Sequence, residues 1–194
     1  MKTDDKLKRS DERKKLIVDT AKNCFGQHGF HGTSMSELLI QTGLSAGQLY
    51  RYFPGKDILI LEVVRSIAKE WREFLSARLS QDTALHELLD VNSAFWAGWN
   101  QCEHSLLLES YSEASRNEDV RRILKDEEEK TIIYLVKRNA KNEEESVFNR
   151  ERVRLLLTII DGFICRVVYD IDLEPQELAR LDVLVFGERK TKGP

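Results

Sequence analysis

Apolar residues recur at three- and four-residue intervals through most of this chain, and the stretches that break the rhythm are short. Leu16, Ile17, Ala21, Cys24 and Phe25 mark one face of a helix from about Asp11 to His28. Met35, Leu38 and Leu39 form a shorter stripe that stops at Gly43, and Leu49 and Phe53, four apart, form another that stops at Pro54-Gly55. From Lys56 to about Leu79 a long amphipathic helix turns Leu59, Val63, Ile67, Trp71, Phe74 and Leu75 inward.

Beyond Gln81-Asp82-Thr83 the same period places Leu85, Leu88, Leu89, Phe95, Trp96 and Trp99 in one helix and Leu106–Ser115 in the next. Asn117 can cap a further helix reaching about Asn139, with Val120, Ile123, Leu124, Ile132, Leu135 and Val136 inward. Residues Ala140–Ser146, rich in Lys, Asn and Glu, read as a loop. Two last helices are expected near Asn149–Asp170 and Pro175–Phe186. The expected fold is therefore all-α, with about nine helices: three in an amino-terminal head and six in a carboxy-terminal bundle. We expect a head over residues 1–57, a bundle over residues 58–186, and a tail over residues 187–194 too poor in apolar residues to order itself.

The two short helices hinged at Gly43 make a helix-turn-helix. Thr33 or Ser34 can cap the first of them, with Glu37 three residues beyond Ser34 in the capping-box position. Gly43 supplies the positive φ that ends it, Leu44 packs at the pivot, and Ser45 can cap the second. With Leu49 and Phe53 turned in, the second helix faces outward with Ala46, Gly47, Gln48, Tyr50, Arg51 and Tyr52. Small residues at its start permit close approach to a DNA groove, Gln48 and Arg51 can hydrogen-bond base edges, and Tyr50 and Tyr52 can reach phosphates. Lys56 adds a positive charge at the start of the following helix. The expected DNA-binding set is Thr33, Ser34, Ser45, Ala46, Gly47, Gln48, Tyr50, Arg51, Tyr52 and Lys56.

The run Gly43-Leu44-Ser45-Ala46-Gly47-Gln48-Leu49-Tyr50-Arg51-Tyr52-Phe53-Pro54-Gly55-Lys56-Asp57-Ile58-Leu59 resembles the DNA-binding signature of the tetracycline-repressor (TetR) family. Ile17, Ala21, Phe25, Gly29, Phe30, Thr33, Ser34 and Met35 stand at that family's spacings, so the resemblance covers roughly residues 12–60. Leu39 and Thr42 depart from it, standing where the family usually has alanines. Further on, the Asp161-Gly162 pair in an apolar helix resembles the family's late dimerisation helix. The resemblance implies a homodimeric regulator, a small-molecule inducer bound in the carboxy-terminal bundle, and competition between inducer and DNA through the spacing of two recognition helices.

Charge sharpens this picture. The chain of 194 residues has a net charge of −3, yet residues 1–57 hold 10 Lys/Arg against 7 Asp/Glu, and residues 58–194 hold 20 against 26. The basic end is the end with the motif, which suits salt-sensitive phosphate contacts made by a dimer. Lys6, Lys8, Arg9, Arg13, Lys14 and Lys15 lie in or beside a mixed-charge amino-terminal arm that reads equally as a solvated tail or as an arm touching the neighbouring minor groove or the DNA backbone. Charged residues dominate Met1–Leu16, and Arg154, Asp161 and Arg166 interrupt the one long apolar stretch. Neither a secretory leader nor a membrane span is expected, so the location expected is cytoplasmic. Cys24, Cys102 and Cys165 are odd in number and widely spaced. We expect buried reduced thiols, with a redox switch as the lesser reading.

Phe95, Trp96, Trp99, Cys102, His104, Glu109, Tyr111, Ser112, Tyr134, Cys165 and Tyr169 mix aromatic and polar groups as a small-molecule pocket does, although aromatics at helical spacing are also plain core. On the last helices, Leu156, Ile160, Phe163, Ile164, Val167, Leu178, Leu181 and Val185 offer more apolar surface than one helix needs. They serve either a dimer interface or an intrachain core. Cys24, His28 and His31 lack a fourth ligand and Gly29 separates the histidines, so no metal is expected. Gly26, Gly29 and Gly32 follow a helix and not a strand, and no nucleophile has an activating partner. Neither cofactor nor enzymatic activity is expected.

The function expected is a ligand-responsive transcriptional regulator, a repressor in the first instance, bound as a homodimer to a palindromic DNA operator and released by a small molecule. The alternatives are a ligand-independent architectural DNA-binding protein and a helical protein-interaction module.

Overall fold

The computed structural model describes residues 2–80, 83–139, 149–166 and 174–186. All regular structure among them is helical: α1 (Lys2–Gly32), α2 (Met35–Thr42), α3 (Ala46–Tyr52), α4 (Lys56–Arg78), α5 (Leu85–Leu88), a 3-10 turn (Ala94–Trp96), α6 (Gln101–Ala114), α7 (Glu118–Asn139), α8 (Arg150–Arg166) and α9 (Pro175–Phe186). The expected loop at 140–146, the end of the helix expected to reach Asp170, and the tail at 187–194 lie outside the described residues.

The chain divides into two compact units, one of residues 1–70 with 100–125 and the other of residues 71–99 with 126–194. In the first, α1 supports α2 on one side and α6 on another. Its core is Ile17, Ala21, Phe25, Phe30, Leu38, Leu49, Phe53, Leu59, Val63, Leu106, Leu107 and Val120. A Cβ on Gly26 would lie 2.4 Å from Cys102 Sγ and 3.1 Å from its carbonyl oxygen, so a residue without a side chain is what lets α6 approach α1. The unit therefore joins the three head helices to α6, which the sequence period had grouped with the bundle.

The second unit is built on Trp71, Phe74, Leu75, Leu79, Leu85, Leu88, Phe95, Trp96, Ile132, Leu135, Val153, Leu156, Leu157, Ile160 and Ile164. Within it, α9 packs on α8 and on α5.

Three expectations about elements change. The first helix does not begin near Asp11: α1 is helical from Lys2, in keeping with the helix propensity of its Lys, Arg and Glu residues, and Gly29 (φ 74°) breaks the regular geometry near its end. The single helix expected over Leu85–Trp99 is two short pieces. Asp90 stops the first, its carboxylate accepting from Asn92 N at 2.9 Å and its carbonyl from Ser93 N at 3.0 Å, a local turn that competes with helix continuation. Gly98 (φ 85°) then turns the chain before α6. Finally, Cys24 is buried, but Cys102 is half-buried and Cys165 exposed; all three are free thiols. Cys165 follows Ile164 on α8, and the buried stripe Leu156, Ile160, Ile164 leaves it on the outer side.

Candidate nucleic-acid interface and aromatic cluster

Ser34 is the N-cap of α2, its Oγ accepting from Glu37 N at 3.1 Å. Gly43 ends the helix in the left-handed conformation (φ 67°), its N–H donating to Leu39 O at 3.1 Å. Ser45 caps α3, but the side-chain bonding runs opposite to expectation. Gln48 reaches back, and its Oε1 accepts from Ser45 N at 3.0 Å and Ser45 Oγ at 3.1 Å. The carboxamide oxygen of Gln48 is thus engaged in the cap, and its amide group is what it can offer to a base.

Leu49 and Phe53 are buried and anchor α3, while Ala46, Gly47, Tyr50 and Arg51 are exposed and Gln48 and Tyr52 half-buried. Arg51 lies over the Tyr52 ring, 5.2 Å from its centroid. A hydrogen bond from Ser10 holds the Tyr52 hydroxyl below the ordinary tyrosine range, against partial burial and with help from Arg51 and Arg13. This ties the basic start of α1 to the end of α3, and it makes Tyr52 a brace between two helices. Thr33, expected on the DNA face, is buried instead; its hydroxyl donates to Cys24 O and Gly29 O, each at 3.2 Å. The end of α1 turns the Thr33 hydroxyl back onto carbonyls of that helix, while Ser34, one residue on, is left to cap α2. Lys56 donates to His31 O at 3.4 Å and steadies the end of α1.

Helix α6 also grips this kink. Phe30 N, released from regular helical bonding, donates to Glu109 Oε1 at 2.9 Å. One turn on, Glu113 faces His31 Nε2 at 3.3 Å and Arg116 at 2.8 Å and accepts from Asn117 Nδ2 at 3.2 Å. Burial raises the Glu113 pKa, but Asn117, Arg116 and His31 outweigh it and the carboxyl sits below its usual range. A carboxylate pair four apart on α6 was visible in the sequence; its partner, the end of α1, was not.

The residues expected to line a pocket do not assemble as one group within either unit. Cys102, His104, Glu109, Tyr111 and Ser112 lie on α6 in the first unit, and Phe95, Trp96, Trp99, Tyr134 and Cys165 in the second. Tyr169 falls outside the described residues. Tyr134 and Cys165 are exposed. Phe95, Trp96 and Trp99 instead join Trp71 and Phe74 of α4, which the period had marked only as core. Trp71 and Trp99 centroids are 4.8 Å apart, Phe74 and Trp99 5.1 Å, Phe74 and Phe95 5.6 Å, and Trp96 reaches Phe163 at 5.9 Å. The spacing 71, 74, 78 on one helix face was the available signal.

On the last helices, Leu156, Ile160 and Ile164 belong to the unit's own core, which is the intrachain reading for these three. Phe163, Leu178 and Leu181 are half-buried; Val167 lies outside the described residues, as does the side chain of Val185. The apolar side chains left exposed on α8 and α9 are Leu155, Val183 and Leu184. Among the described residues no helix is long and apolar enough to cross a membrane, and no three His, Cys, Asp or Glu side chains are grouped to hold a metal ion.

Residues 17–63 match the family described as bacterial regulatory proteins, tetR family. Residues 17–63 of this chain are a TetR-family segment. That segment runs from the middle of α1 into α4 and contains the helix-turn-helix. The chain is similar to the HTH-type transcriptional regulator BetI of Agrobacterium fabrum, 33% identical over 115 residues, 58% of this chain and 56% of that one. It spans a little over half the length of the BetI relatives it matches. The likeness of fold extends further than that alignment. Salmonella enterica GusR superposes with a TM-score of 0.67 at 24% identity, over 91% of this chain and 94% of that one. A transcriptional regulator from Saccharomonospora viridis, solved in complex with choline, superposes with a TM-score of 0.58 at 18% identity, over 90% and 94%.

Proposed function

We propose that this protein is a ligand-responsive transcriptional regulator, acting as a repressor that binds a palindromic DNA operator as a homodimer and leaves it when a small molecule binds. The observation that carries the reading is α3: Leu49 and Phe53 fix it to the core while Gln48, Tyr50 and Arg51 stand outward in a segment matched by the family. In this reading Gln48 and Arg51 address bases, Tyr50 and Lys56 address phosphates, Ser34, Ser45, Ala46 and Gly47 set the approach, and Tyr52 braces α3 against α1. The second copy meets the first through α8 and α9, where Leu155, Val183 and Leu184 join Phe163, Leu178 and Leu181. The choline bound by the S. viridis regulator supports an organic cation as the kind of molecule sensed.

The test is selection of DNA from a random-sequence duplex library by the full chain, followed by titration of the selected duplex at several salt concentrations. Tyr50→Ala and Lys56→Ala are expected to weaken binding to selected and scrambled duplexes alike and to flatten the salt dependence, whereas Gln48→Ala relaxes base preference. Leu184→Arg is expected to yield a monomer in sedimentation with poor affinity for the duplex. Unchanged affinity in all the α3 and Lys56 variants would reject the docking.

A further inference from the structure

The protein's three tryptophans, Trp71, Trp96 and Trp99, all belong to one cluster, and that cluster already holds a cation. The guanidinium of Arg78 lies over the face of Phe74, its carbon 4.2 Å from the ring centroid, and Arg78 Nη2 donates to Ala97 O at 2.6 Å. Phe74 is packed in turn on Trp71, Trp96 and Trp99, so the ring beneath the guanidinium belongs to a continuous π surface. Beside it, Trp99 Nε1 is buried with no hydrogen-bond partner among the described residues, although indole N–H groups in protein interiors are almost always paired. The loop that takes Arg78 turns at Gly98, φ 85°, immediately before Trp99.

The geometry points to a ligand site here: an organic cation carrying an oxygen acceptor displaces Arg78 from Phe74, lies against the tryptophans, and accepts a hydrogen bond from Trp99 Nε1. Aromatic faces attract a cation without a carboxylate, and the attraction grows as water is excluded. Arg78 is a tethered occupant with an exposed bond to Ala97, so it can swing to solvent when a free cation replaces it. The excess of acidic residues over residues 58–194, 26 against 20 Lys/Arg, favours cations near this half of the chain. The two features select different parts of one molecule: the π surface takes the charge and the unpaired indole N–H takes the oxygen. This inference rests on the ligand-responsive reading above and names the class of molecule sensed.

Because all the tryptophans are in the cluster, their emission reports it alone. Full-length protein is titrated with choline, with tetramethylammonium, and with 3,3-dimethyl-1-butanol, which is neutral but shaped like choline. Saturable changes in emission are expected with both cations and not with the neutral alcohol, choline binding about two- to tenfold more tightly than tetramethylammonium. Trp99→Phe, which keeps a ring and removes the N–H, is expected to erase that difference. Arg78→Met is expected to tighten both cations about threefold or more by vacating the ring. Equal binding of the neutral alcohol, no saturable change with either cation, or unchanged or weaker cation binding in a folded Arg78→Met would overturn the site. If another solute releases selected DNA while neither cation alters emission, the regulator reading stands and this site falls. If the cations bind and no duplex is ever selected, the site stands and the regulator reading falls.

Discussion

The helix-turn-helix and the aromatic cluster are built from different kinds of information. In the first, the caps, the turn and the anchoring pair are settled by neighbours within four positions: Ser34 caps Glu37 N, Gly43 closes on Leu39, Gln48 reaches Ser45, and Leu49 pairs with Phe53. In the second, Trp71 and Phe74 on α4 meet Phe95, Trp96 and Trp99 across a turn at Asp90, and Trp96 meets Phe163 on α8. Local chemistry suits the role proposed for α3, which is to present a fixed pattern to DNA. A cluster assembled from distant segments suits the responsive site proposed for it, because a ligand entering it would bear on several elements at once.

The largest effect of a substitution is expected in the cluster. Trp96→Ala removes a ring touching Trp71, Phe74, Phe95 and Phe163, and should lower stability by about 3–5 kcal/mol. Hydrogen exchange should reveal lost protection in α8 as well as α4, and loss limited to residues near Trp96 would break the comparison. A smaller effect is expected at the junction of α1 and α6. Glu109→Ala leaves Phe30 N without its acceptor and should cost about 1–3 kcal/mol and weaken DNA binding, while Glu109→Gln, which can still accept, should retain most of both. Equal loss in the two variants would mean that Glu109 acts through its charge.

The smallest effect concerns Glu113. Its carboxyl is held below the ordinary carboxylate value, so its stabilising contribution is complete above the unfolded-state pKa of about 4.3 and disappears as pH falls through the lower folded value. Glu113→Gln should therefore flatten the acid limb of a stability profile below about pH 4.5 and leave its shape near neutrality unchanged. A change of slope near pH 7 would assign the titration to another group.

Much of the head was legible. The helix starts, the Gly43 turn and the buried pair Leu49 and Phe53 follow from capping and period alone, and the helix expected from Lys56 to about Leu79 is α4, which ends at Arg78. Thr33 was misplaced because it and Ser34 are equally good caps; only the packing of the end of α1 decides which hydroxyl turns inward. Leu85–Trp99 was misread because the apolar period continues across Asp90 while a side-chain turn interrupts the backbone. The full capping box of α6 was also missed, Asn100 accepting from Cys102 N and Glu103 N and Glu103 accepting from Asn100 N.

The sequence by itself determined the helical class, the helix-turn-helix and the side of α3 that faces outward, because each depends on interactions spanning a few residues whose spacing is written in the chain. Tertiary structure alone decided that Glu109 would hold the end of α1, that α8 would spend Leu156, Ile160 and Ile164 on its own core, and that Arg78 would lie over Phe74. Those outcomes depend on which helix faces come together, and an amphipathic stripe states that a face must be covered without stating by what.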